Sequence, residues 1–125
     1  MFYPTLRYRD AVQAVDWLVE AFGFEKASVD LTPGGRIAHA ELRYGDGIVM
    51  VSEAPDSFAD TPHDDFEHVQ CTVYTAVSDV DAHHERAVAA GAEITHPLTD
   101  QPYGSRDYSA RDPEGNHWHF GTYKP

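Results

Sequence analysis

Cysteine is almost missing from this chain. The single thiol, Cys71, can form no internal disulfide, and it lies in an alternating apolar segment, HVQCTVYTAV, where a free thiol acts as a small buried hydrophobe. Long hydrophobic runs are missing too. No stretch approaches the roughly 20 apolar residues that span a bilayer, and the opening MFYPTLRYRD lacks the basic-then-apolar profile of a secretory signal. These absences predict a cytoplasmic protein with no membrane contact. Basic residues are scarce: 9 Lys and Arg stand against 21 Asp and Glu, a formal net charge of −12. That field repels phosphates and so opposes nucleic-acid binding. It favours a cationic small molecule, although an acidic surface also serves solubility. Neither a phosphate-binding glycine loop nor a nucleophile–base–orienter pattern is visible.

What the sequence does hold is enough for one ordinary domain: 125 residues, 42% hydrophobic. Two segments share a gapless pattern at an offset of 68 residues. In the first, Phe2 to Tyr8 alternates as a strand, Asp10 can cap a helix, and Ala11, Ala14, Val15, Leu18 and Phe22 follow at helical spacing before Gly23. In the second, Val69, Cys71, Val73 and Thr75 alternate. Ser78 with Asp81 reads as a capping box, and Val80, His84, Ala87 and Val88 precede Gly91. The helices are expected over 10–22 and 78–90.

Three strand-like segments follow each helix: 24–31, 36–44 and 47–53, then 93–98, 106–111 and 116–123. Turn chemistry joins them, as in Gly45-Asp46-Gly47 and Asp112-Pro113-Glu114-Gly115-Asn116. The pattern predicts an α+β fold of two tandem βαβββ modules, 1–53 and 68–125, joined by an acidic linker over 54–67.

Alternate side chains of a strand point to opposite faces. The greasier sets (Leu6 with Phe2, Val49 with Val51, Cys71 with Val73, Trp118 with Phe120) are expected beneath the helices. The other parity carries Tyr3, Met50, Thr72 and His119, and His39 lies opposite Ala38 and Ala40. Apolar walls with a few polar groups suit a small-molecule cleft, so Tyr3, His39, Met50, Thr72 and His119 are expected to line one pocket. A structural role for His39 fits the same pattern, and so does a role in acid–base chemistry near neutral pH. Tyr103 and Gly104 precede a segment that could form a pocket lip, and Arg7, Arg43, Arg106 and Arg111 suit an anionic ligand or an ordinary sheet rim. His83, His84 and His63 are expected to be solvated.

The repeat, the segments LRYRDAVQAVDWLVEAFGFE and HAELRYGDGIVMVSE, and above all the close ARDPEGNHWHFGTY resemble the vicinal oxygen chelate superfamily of glyoxalases, bleomycin-resistance proteins and extradiol dioxygenases, over nearly the whole chain. The resemblance implies a curved mixed sheet around a cleft, usually completed in a homodimer. It implies four metal-ligand positions, on the first and fourth strands of each module, and counting from the helix caps and last hairpins places them at Tyr3, Met50, Thr72 and His119. His119 alone is a good ligand, so no metal cofactor is expected. A four-residue slip of the fifth strand would bring His68 beside His119, with His117 on the same face and Glu41 or Asp107 as the carboxylate of a metal site. The function expected is binding of a small molecule, as in the bleomycin-resistance branch. The alternative is a metal-dependent lyase, isomerase or dioxygenase, or a metal-free catalyst using His119 or His39.

Overall fold

The apolar stripe Ala11, Ala14, Val15, Leu18 and Phe22 forms one face of a helix, α1 (Ala11–Phe22), and all five residues are buried. Asp10 caps its start by accepting the Gln13 amide at 3.1 Å, and Gly23 ends it in the left-handed region at φ 78°. The computed structural model describes residues 3–54 and 72–125. The expected sites at Phe2, His63, His68 and Cys71, and the expected linker apart from Ala54, lie outside the described residues.

The chain divides into two compact units, Met1–Val19 with Gly23–Val69 and Glu20–Phe22 with Gln70–Pro125. In the first, β1 (Thr5–Tyr8), β2 (Glu25–Leu31), β3 (Ile37–Tyr44) and β4 (Gly47–Glu53) form a sheet in the order β1-β4-β3-β2. β1 runs parallel to β4 and the other pairs are antiparallel. In the second, β5 (Val73–Ala76), β6 (Glu93–Asp100), β7 (Arg106–Arg111) and β8 (His117–Gly121) repeat that plan in the order β5-β8-β7-β6. With α2 (Val80–Ala89) in the second unit, the fold is α+β with two tandem βαβββ modules of mixed sheets. The described strands thus form two four-stranded sheets, one in each unit.

Strand parity holds on β4 and β8. Val49, Val51, Ala40 and Leu42 are buried on one face of the first sheet, while Met50 is only half-buried on the other. In the second sheet Trp118 and Phe120 are fully buried, and His119 between them points to the opposite face. The second core is aromatic: Phe22 and Phe120 lie 4.7 Å apart, and Tyr108 stacks on Phe120 at 5.3 Å.

Three details of the sequence reading change. Asp79, not Ser78, caps α2, accepting the Ala82 amide at 3.1 Å. Asp10 thus corresponds to Asp79, one residue beyond the 68-residue offset that relates Gly23 to Gly91, so α2 is shorter than α1. His83, expected in solvent, is buried, whereas Val88 is 48% exposed. Polar partners make that burial tolerable: the His83 ring nitrogens meet the Tyr108 hydroxyl at 2.6 Å and the Phe22 carbonyl at 2.7 Å.

Candidate functional site

The parallel register of β5 on β8 puts Tyr74 directly beside His119, and β7 adds Ser109 on His119's other side. These three side chains lie on the face opposite Trp118 and Phe120, where they open onto a recess of about 420 Å³. β6 and the turn after it supply His96, Thr99, Gln101 and Tyr103, and β7 also supplies Asp107. A second recess, of about 590 Å³, shares Tyr74, Tyr103 and Asp107 and is completed by Ser105, Tyr123 and Pro125. Asp107 therefore sits where the two meet.

Local rules put each group in place. Asp107 and Ser109 alternate with the buried Tyr108 and Ala110, so the pleat turns them to the recess. Tyr103 stands on a tight turn closed by the Gly104 amide to the Gln101 carbonyl at 3.0 Å, with Gly104 at φ 90°. Gly121 opposes Asp107 in the register, and a Cβ there would fall 2.9 Å from both the Asp107 Cβ and the Tyr74 hydroxyl. Only a glycine lets phenol and carboxylate approach over that strand.

Ser109 Oγ and His119 Nδ1 form a hydrogen bond. Burial lowers the His119 pKa, repulsion from His117 and His96 lowers it further, and Asp107 opposes the shift. The imidazole is thus neutral at neutral pH. Burial also raises the Tyr74 phenol, against its hydrogen bond to the Tyr123 carbonyl at 2.7 Å. The Asp107 oxygens receive Gln101 Nε2 at 2.9 Å and the Tyr103 hydroxyl at 3.4 Å.

In the first unit Met50 pairs with Glu41 and with Thr5, and Tyr3, just before β1, has the same parity as Thr5. His39 Nε2 lies 3.0 Å from Glu41 Oε2, so its imidazole already has a carboxylate partner. Thr72 is exposed and precedes β5. Register places Thr5 beside Met50 and Tyr74 beside His119, so Tyr3 and Thr72 stand two residues before these partners, with the same parity. His68, the alternative partner of His119, lies outside the described residues. Of the four positions that the resemblance implies, Tyr3, Met50, Thr72 and His119, only His119 is a good divalent-cation donor, so this set does not fit the metal site that the superfamily implies. Among the described residues no three His, Cys, Asp or Glu side chains cluster to hold a metal. Arg106, weighed as an anion contact, pairs with Asp81 at 2.9 Å and Asp100 at 3.3 Å.

Sequence reasoning missed His96, Gln101 and Tyr123. β6 carries register shifts on both sides of His96, which defeats a period-two reading, and Tyr123 lies beyond the last strand. Ser109 and Asp107 had a usable signal in the alternation RDYSAR.

A tandem pair of mixed βαβββ modules is the architecture of a known class. The chain belongs to the glyoxalase/bleomycin resistance protein/dioxygenase superfamily, whose family model matches residues 2–120. Among its relatives, the uncharacterized protein Mb0911c of Mycobacterium bovis is 33% identical over 94% of this chain and 80% of its own. The crystal structure of TioX from Micromonospora sp. ML1 matches with a TM-score of 0.80 and 40% identity, covering 100% of this chain and 97% of that one. The bleomycin-binding protein of bleomycin-producing Streptomyces verticillus, solved with copper(II)-bleomycin, matches with a TM-score of 0.68 and 26% identity over 98% of this chain and 95% of that one. No helix among the described residues is long and apolar enough to cross a membrane.

Proposed function

We propose that this protein binds a small, partly aromatic or cationic molecule without a metal, in the cytoplasm and as a homodimer. The observation that carries the reading is the recess beside His119: tyrosine walls, one carboxylate and a neutral imidazole are the few oriented polar groups in an apolar wall that ligand sites use. The kinship with a bleomycin-binding protein supports it. Tyr3, His39 and Met50 in the first unit and Thr72 in the second are the further ligand contacts we propose. The dimer draws support from β2, an edge strand exposed along its whole length, since an uncovered edge invites pairing.

A second reading, a metal-free catalyst, draws on the Ser109–His119 hydrogen bond, which gives the neutral imidazole a fixed orientation for general-base work. Elemental analysis of protein purified without chelators or a metal-affinity tag, together with ligand screening by thermal shift, tests the main reading. The expected outcome is less than about 0.1 metal per chain and stabilisation by aromatic ligands that His119→Ala abolishes. One metal per chain, lost on substituting His119 and His68, would overturn it and favour the enzyme. Sedimentation that shows only monomer at micromolar concentrations would remove the dimer.

A further inference from the structure

We infer that Asp107, framed by Tyr74, Tyr103 and Tyr123, is a cation-selective subsite that takes an ammonium or amidinium group carried by a flat apolar ligand. The inference rests on reading the second-unit recess as the ligand site, and it names the chemistry that this site selects.

Three observations converge on it. Among the described residues the Asp107 carboxylate receives only neutral donors, Gln101 Nε2 and the Tyr103 hydroxyl. Among the described residues it has no ion pair, for the neighbouring Arg106 directs its guanidinium to Asp81 and Asp100. A half-buried carboxylate surrounded by aromatic wall is poorly solvated and attracts a mobile positive charge more strongly than one in open water.

The walls are suited to the same charge. Tyrosine faces carry the negative part of the ring quadrupole, which favours ammonium and guanidinium groups over anions. Their placement is constrained: the Tyr74 hydroxyl is tied to the Tyr123 carbonyl at 2.7 Å, and Gly121 supplies the space that brings the Tyr74 phenol next to Asp107. The two recesses meet at Tyr74, Tyr103 and Asp107, so a ligand lying in either presents a substituent to the same carboxylate.

Burial holds the His119 imidazole, which faces the same recess, neutral at neutral pH, so it does not repel a cation there. The −12 charge of the chain enriches cations near its surface, a long-range effect that adds to the local one and weakens with salt.

Heteronuclear NMR titration of the full chain with three probes of one size class tests this: benzyltrimethylammonium, benzyl alcohol and phenylacetate. The ammonium probe is expected to shift the signals of Tyr74, Tyr103 and Gly121 and to bind at least about tenfold more tightly than the other two. Asp107→Asn, which keeps an acceptor for Gln101, is expected to remove that preference. Tyr103→Ser, at a residue 69% exposed, is expected to weaken the ammonium probe several-fold with the fold intact. Equal binding of all three probes at these signals, or an Asp107→Asn protein that still prefers the ammonium, would overturn the cation subsite and leave the ligand site standing. Absence of shifts with every probe would overturn both.

Discussion

The Trp118 indole nitrogen donates to Asp112 Oδ2 at 3.1 Å, while Oδ1 of the same carboxylate receives the amides of Glu114 at 3.1 Å and Asn116 at 3.0 Å. One buried side chain therefore folds the turn between β7 and β8 and fixes the largest core residue. Gly115 completes that turn at φ 88°. The DP-E-G-N-x-W-x-F signature that resembles the superfamily most closely is thus a folding device, with Trp118 and Phe120 in the core and His119 alone facing the recess. Kinship read from it says more about architecture than about chemistry.

Asp112→Ala is expected to destabilise the protein by about 3 kcal/mol, since it strands a buried indole N–H and two turn amides. Asp112→Asn, which retains one acceptor, should lose less. Urea denaturation measures both, and a loss below about 1 kcal/mol for the alanine variant would contradict this account.

His83 links stability to acid. A carbonyl can only accept, so Nε2–H donates to Phe22 and the Nδ1 lone pair accepts the Tyr108 hydroxyl. Burial lowers its pKa, the Phe22 carbonyl opposes the shift, and Arg86 adds to it. The unfolded chain therefore takes up this proton more readily than the folded one. The contribution to stability is complete above the ordinary value of about 6.5 and is lost as pH falls toward the lowered folded value. His83→Gln should show a flatter decline in urea midpoint between pH 7 and 5 than the parent, and parallel declines would refute the linkage.

Gly121→Ala should damage binding more than folding. The new methyl would meet the Asp107 Cβ and the Tyr74 hydroxyl at 2.9 Å, forcing the phenol off its bond to Tyr123. The expected cost is about 1 to 2 kcal/mol of stability, with benzyltrimethylammonium affinity reduced about tenfold or more. An alanine variant that binds the probe like the parent would show that the Tyr74 position is not critical.

Much of this architecture is legible in the sequence because it is set locally. The α1 stripe, the Gly23 stop and the Gly45-Asp46 turn each follow from a few adjacent residues, and period two on β8 separates His119 from Trp118. The parallel pairings are different. β1 lies beside β4, and β5 beside β8, without a hairpin to set the register, so the pairings of Thr5 with Met50 and of Tyr74 with His119 cannot be counted from a turn. The burial of His83 was hidden for a similar reason: its partners, Phe22 and Tyr108, are distant in sequence and nearby only in the fold.

The last expectation joins His119 to the cation subsite. His119 and Asp107 line the same recess, and the groups bearing on the imidazole are His117 and His96, which repel a proton, and Asp107, which attracts one. With burial the largest influence, the pKa lies below its ordinary value of 6.5. At pH 7 and above the recess holds a neutral imidazole beside a carboxylate, and affinity for benzyltrimethylammonium should not change with pH. As pH falls below about 6.5 toward the lowered value, His119 gains a charge of the same sign as the probe. Across a partly solvated recess that repulsion is worth about 1 kcal/mol, or about fivefold in affinity. Phenylacetate should move the other way and bind better in acid. His119→Gln removes this imidazole and should make the decline in cation affinity over the same interval shallower than in the parent. Equal pH slopes for the parent and His119→Gln would place the titrating group elsewhere and separate His119 from ligand binding.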